Sequence, residues 1–171
     1  VILAKVVGEK GKIIAFDPEK ESINHLQENI KLNDLSNVIV FQKALGENNE
    51  KRKLYIGKTT GNFSLIKLYE EGIDYQDVEV VNGNDFVFKN NLPTPKAVKI
   101  DVEGYEYAVL KGLKNTLSDI NCKIICCEIH PGLFPAGITE DKILEFIKYL
   151  GFNKISYFKK LFFKPYHVIA V

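Results

Sequence analysis

Asp101 and Glu103 stand two residues apart in the run AVKIDVEG, and Glu128 and His130 stand two apart in the run CCEIHP. Strand side chains alternate between faces, so each pair shares a face as long as its strand persists. An imidazole titrates close to neutral pH and carboxylates beside it can orient it, so four such groups meeting at one place suit proton transfer. The same set can hold a cation, but one histidine with scattered carboxylates is a weak metal signature, and no metal is expected. Simpler roles exist. Asp101 and Glu103 can cap a helix starting near Tyr105, a reading that accommodates one carboxylate comfortably and not both. A histidine at a strand end is commonly structural or solvent-facing. Gly104 lets the backbone pass close to a ligand or turn into that helix. Lys99, in an otherwise apolar run, would be costly in a central strand without a partner.

Asp17 follows the apolar run KIIAF and precedes Pro18. An acidic residue at such a strand end accepts hydrogen bonds from ribose hydroxyls in nucleotide-binding sheets. It also makes a good cap for a helix that Pro18 opens, and the two roles use different oxygens. Gly8 and Gly11 precede the strand, so they are no phosphate-cradling fingerprint, which must follow a strand and open a helix.

The elements that must position these groups alternate. Residues 12–16 (KIIAF), 38–41 (VIVF), 97–102 (AVKIDV) and 123–129 (KIICCEI) are short apolar runs bounded by turn residues, as buried strands are. Residues 18–34 carry Ile23, Leu26 and Ile30 at helical spacing, and 105–117 carry Val109, Leu113 and Leu117 likewise. Residues 139–150 read as a helix with Thr139 as cap and Gly151 beyond its end. Residues 53–56 and 78–81 predict strands in a more polar antiparallel excursion, and 155–158 with 167–171 predict a terminal hairpin. Together these imply a doubly wound α/β domain, a mostly parallel Rossmann-like sheet with an antiparallel C-terminal hairpin strand. In such a sheet ligands bind beyond the carboxyl ends of the strands. Asp17, residues 42–45, residues 101–104 and residues 128–130 all reach that rim. Residues 1–7 (VILAKVV) read as the end of a helix, so an earlier first strand is expected to precede them.

Composition narrows the classes. With 171 residues, 46% of them hydrophobic, the chain suits one domain covering 1–171 with a real core. The net charge of +1 offers no field to attract nucleic acid or an anionic membrane. No apolar stretch approaches the ~20 residues that span a bilayer, and residues 1–7 lack a signal peptide's pattern. Cys122, Cys126 and Cys127 crowd one strand, which suits buried free thiols in a reducing compartment and neither disulfides nor zinc. A soluble cytoplasmic protein is expected.

The segments IIAFDPEKESINHLQENIKLN, QKALGE, VKIDVEGYEYAVLKG and CCEIHP together resemble the FkbM family of methyltransferases. The resemblance runs through nearly the whole chain, and the stretch from Lys99 to Gly104 with Val109, Leu110 and Gly112 is its most specific part. It implies a class I methyltransferase sheet, S-adenosylmethionine as methyl donor, and an oxygen of a sugar or other small molecule as acceptor. By this resemblance Asp17, with Pro18 beside it, holds the cofactor ribose, and Lys43 and Ala44 lie near the adenine. Asp101, Glu103, Glu128 and His130 face the methionine end and the acceptor. The family's first strand and glycine-containing loop have no counterpart here. His130 or Asp101 is then expected as the general base, with Glu128 orienting the histidine. Residues 58–65 (KTTGNFSL) either help to close the acceptor pocket or form an ordinary surface loop. Two other readings stay open. A nucleotide-dependent oxidoreductase needs a glycine fingerprint that is not visible, and a non-catalytic binding or assembly module would use exposed sheet edges for partner pairing, including self-association.

Overall fold

The β-branched and aromatic runs form the strands, as their fit to a pleated surface requires. In the computed structural model, which describes residues 1–57, 63–66, 74–160 and 163–171, the chain opens with α1 (Ile2–Val7), which Gly8 ends at φ 68°. Then come β1 (Ile13–Phe16), α2 (Lys20–Leu32), β2 (Val38–Phe41), β3 (Ala44–Gly46), β4 (Glu50–Ile56), β5 (Phe63–Ser64) and β6 (Tyr75–Asn82). Helix α3 (Gly83–Lys89), β7 (Ala97–Ile100), α4 (Glu106–Gly112), α5 (Lys114–Leu117) and β8 (Ile124–Ile129) follow. A 3-10 turn (Pro131–Leu133), α6 (Glu140–Tyr149), β9 (Ile155–Lys160) and β10 (Phe163–Ala170) complete the order.

The fold is mixed α/β, and its ladders form three sheets where the sequence suggested one. β1 and β2 pair in parallel, from Ile13 opposite Val38 to Phe16 opposite Phe41. A second sheet runs β7-β8-β10-β9, with β7 and β8 parallel and the terminal hairpin antiparallel, β10 inserted beside β8. The excursion is a sheet of its own, β3-β6-β4-β5, in which the short β3 pairs in parallel with β6. Among the described residues no ladder joins β1 to β7, so each has an edge without a strand partner. The ring of Phe86 on α3 meets Phe16 and Phe41 edge-on at 5.2 and 4.8 Å, which ties the small parallel pair to the rest.

Helices α4 and α6 cover the second sheet. Leu110, Ile125, Ile129, Ile143, Ile147 and Val168 are fully buried in this core. Cys122 and Cys127 are buried and Cys126 half-buried, all as free thiols. Among the described residues no helix is long and apolar enough to cross a membrane.

Two local expectations need correction. Helix α2 starts at Lys20, not Pro18, because the Glu19 carboxylate takes the amides of Glu21 and Ser22 at 2.9 and 2.5 Å. Glu19, not Asp17, is therefore the cap of the helix amides, and Asp17 takes only the Glu19 amide ahead of it. The expected single helix over 105–117 is two, broken at Leu113. Gly112 sits so close to β3 that a Cβ there would lie 1.8 Å from the carbonyl oxygen of Gly46. By contrast, Thr139 does cap α6, its hydroxyl accepting from the Lys142 amide at 3.2 Å.

Candidate active site

The carboxyl ends of β7 and β8 deliver Asp101, Glu128 and His130 side by side, as alternation along each strand requires. Between β7 and α4 the chain turns sharply. Glu103 and Gly104 both adopt positive φ, 48° and 95°. For Glu103 this is a strained conformation, which persists only where its surroundings hold it. The Ser64 hydroxyl on β5 donates to the Glu103 carbonyl at 2.7 Å, and Gly104 packs so tightly on Leu133 that a Cβ would lie 2.3 Å from its carbonyl oxygen. The turn therefore points the Glu103 carboxylate at His130, with Oε2 3.5 Å from Nε2. Asp101 Oδ1 lies 3.9 Å from the same nitrogen.

The other ring nitrogen of His130 is held by a residue the sequence did not single out. Nδ1 lies 2.6 Å from Oε1 of Glu106, and both side chains are buried, at 5% and 0% exposure. The same Glu106 oxygen accepts from the Gly104 amide at 3.1 Å. Glu106 thus takes the place assigned to Glu128. Among the described residues the Glu128 carboxylate instead meets Lys99 at 3.4 Å and His167 at 3.0 Å. Lys99 also donates to Asp101 Oδ2 at 3.1 Å, so this lysine is paired twice. Neither Asp101 nor Glu103 caps α4, whose first residue is Glu106 itself. A signal for Glu106 was present: Glu106, Val109, Leu110 and Leu113 are spaced as one helical face, and all are buried. An acid on an apolar stripe is the kind of residue that needs a reason.

Electrostatics separate the group roles. Burial pushes His130 down, but the hydrogen bond and charge of Glu106, followed by the charges of Glu103 and Asp101, outweigh it and leave the imidazole above its ordinary pKa. Burial raises Glu103, as do the like charges of Asp101, Glu106 and Glu128, against the pull of His130. Burial also works against the Asp101 anion, yet the Lys99 ammonium at 3.1 Å and the His130 charge hold it below the usual carboxylate value.

Asp101, Glu103, Glu128 and His130 line a cavity of about 470 Å³, together with Tyr55, Phe63, Ser64 and the Pro131–Leu133 turn. Phe63 and Ser64 belong to the glycine-bearing stretch 58–65, read from sequence either as part of an acceptor pocket or as a surface loop, while residues 58–62 of it lie outside the described residues. Ligand atoms of Asp101, Glu128 and His130 all lie within 4.8 Å of one another, close enough to surround a cation. The Lys99 ammonium, against both carboxylates, already supplies positive charge there.

The remaining candidates stand at the ends of β1 and β2, outside that lining. Asp17 is half-buried; its Oδ1 accepts from the Glu19 amide at 2.8 Å, and its backbone N–H bonds Phe41 at 3.2 Å. Burial raises its pKa, more than the Glu19 amide lowers it. Pro18 follows it into the turn. Lys43 pairs with Glu79 on β6, and Ala44 is buried at the start of β3. The structure therefore places the predicted residues in two neighbourhoods along the strand ends.

Comparison with known proteins supplies the context. A family model described as the methyltransferase FkbM domain matches residues 2–154. Hexuronic acid methyltransferase AglP of Haloferax volcanii is 29% identical over 137 residues, which is 80% of this chain and 55% of that protein. The chain thus spans about half the length of the curated relative it matches. A crystal structure of methyltransferase FkbM from Methylobacillus flagellatus KT superposes with a TM-score of 0.65 at 14% identity, covering 99% of this chain and 39% of that one. At that identity the likeness speaks for the fold. With the family match extending over most of the residues, and the strand-end carboxylates and histidine arranged around one cavity, this chain belongs to the FkbM methyltransferase family.

Proposed function

We propose that the chain carries out S-adenosylmethionine-dependent methyl transfer to a hydroxyl oxygen of a sugar or other small molecule, with His130 as general base. One observation carries this reading. His130 presents Nε2 beside an open cavity while a buried carboxylate grips Nδ1. A hydroxyl seated in that cavity can give its proton to Nε2 as the oxygen attacks, a contribution of about 10² to 10⁴ in rate. The sugar preference draws support from the hexuronic acid named for the related protein and from a lining that mixes aromatic rings with carboxylates able to accept from hydroxyls.

The donor fits at the end of β1. Glu19 caps α2, so one Asp17 oxygen is held by the Glu19 amide and the other remains to accept from a ribose diol. When bound, S-adenosylmethionine supplies a methyl group on an electrophilic sulfonium. The chain's own residues align the acceptor and take its proton, and alignment of this kind is worth roughly 7 to 11 kcal/mol.

Calorimetry of the full-length protein with S-adenosylhomocysteine tests the donor. Asp17→Ala removes charge-assisted hydrogen bonds, and affinity is expected to fall about 10- to 100-fold. Equal binding by both proteins would remove Asp17 from the ribose. No binding by either would sink the donor reading and favour a non-catalytic binding module.

A further inference from the structure

We propose that Glu106 is the positioning residue of this site: its buried carboxylate holds His130 as the Nδ1–H tautomer with the Nε2 lone pair toward the acceptor, and ties the strained Glu103–Gly104 turn to that imidazole. The proposal rests on the reading of His130 as general base. Glu106 is fully buried at the start of a seven-residue helix, and its Oε2 has no hydrogen-bond partner among the described residues. Burying a carboxylate with an unsatisfied oxygen is a poor route to stability, since apolar replacement of such groups is often neutral or stabilising. What Glu106 does make is specific: Oε1 meets both the imidazole and the Gly104 amide.

The competition around the ring shows why a carboxylate is needed there. Neutral imidazole carries one proton, and the stronger acceptor decides which nitrogen holds it. On the Nε2 side stand Glu103 at 3.5 Å and Asp101 at 3.9 Å, both from the β7–α4 connection. Left alone, they would draw the proton onto Nε2 and leave no lone pair for the acceptor. Glu106, at 2.6 Å from Nδ1, wins the proton for the other side. Further out, Lys99 on β7 and His167 on β10 engage Glu128 of β8, Cys127 of β8 is buried behind, and Tyr55 of β4 lines the cavity. None of these is shown bonded to Nδ1, so none substitutes for Glu106.

The test is Glu106→Gln in the full-length enzyme, near-isosteric and uncharged. Its carbonyl oxygen can keep the Gly104 N–H but is a weaker acceptor than a carboxylate, so Glu103 and Asp101 on the other side would draw the proton to Nε2. With only His25, His130 and His167 in this chain, imidazole nitrogen resonances can be assigned with a His130→Gln control. The expected result is an Nδ1–H tautomer in the parent and Nε2–H in the variant, with the His130 titration midpoint moved to lower pH. Turnover should fall about 10²-fold with KM little changed, the size of a lost general base. Glu106→Asp should restore part of the turnover. An unchanged tautomer and midpoint would overturn the proposal, and so would a Gln variant that fails to fold, which would assign Glu106 to stability. The nitrogen spectra need no turnover, so an inactive parent protein would count against methyl transfer while leaving the tautomer result to stand.

Discussion

His130→Gln in the full-length protein is expected to lower kcat by about 10² to 10⁴, the usual worth of a general base, while S-adenosylhomocysteine binding stays within a few-fold of the parent. Glutamine is the better probe than alanine because its amide can still donate to Glu106. Alanine would strand a buried carboxylate, at a cost of roughly 3–5 kcal/mol, and confuse unfolding with lost chemistry. The pH profile sharpens the test. Only neutral imidazole accepts a proton, so kcat/KM should fall as pH drops through the His130 pKa. Glu106, Glu103 and Asp101 raise that value against burial, so the acid limb should have its midpoint above the ordinary ~6.5 of histidine.

The same shift has a thermodynamic face. A folded-state pKa above the unfolded one means that the folded protein holds the proton more tightly. The stabilisation is complete below the unfolded value and lost as pH rises through the folded one. Thermal stability should therefore decline across that window in the parent, and the decline should vanish in His130→Gln. Full turnover by His130→Gln would return the base role to Asp101. Its carboxylate is the weaker candidate, since the Lys99 ammonium stabilises its anion.

Gly112→Val should unfold the protein or bring its melting temperature down by ten degrees or more. A Cβ at Gly112 would stand 1.8 Å from the Gly46 carbonyl oxygen and 2.5 Å from its carbon, and neither is the end of a side chain that can swing away. Helix α4 would have to lift off β3, dragging Leu110 and the turn that carries Glu103. Overpacking a core costs about 1–3 kcal/mol even where neighbours adjust, and each kcal/mol moves the melting temperature of a chain this size by about 2–4 °C. Gly132→Ala is the control, because a Cβ there meets nothing within 4 Å. A Gly112 variant melting within two degrees of the parent would mean that α4 and β3 are not in backbone contact.

The legible parts of this protein were those that local pattern carries. Apolar runs at 13–16, 38–41, 97–100 and 124–129 are strands because β-branched residues suit a pleat, and Thr139 caps α6 because its hydroxyl can reach an amide three residues on. The meeting of Asp101, Glu128 and His130 followed from the rule that strand ends share a rim, whereas Glu103 reaches it through a turn at positive φ beyond the end of β7.

What stayed hidden depends on distances between segments remote in the chain. Lys99 looked costly until Asp101 and Glu128 were found within reach of its ammonium. Glu128 and Glu106 were equally plausible partners for the histidine by type; only the packing of α4 under β8 puts Glu106 against Nδ1. The pairing of β3 with β6, the break at Leu113 and the division into three sheets likewise arise where backbones meet. The sequence alone determined most of the longer strands and helices, though not α3, β3 or β5, and also which family they resemble and which rim carries polar groups, because propensity and periodicity act over a few residues. Tertiary structure decided which acid meets the histidine, because a hydrogen bond is set by tenths of an ångström between side chains that the sequence places twenty-four positions apart.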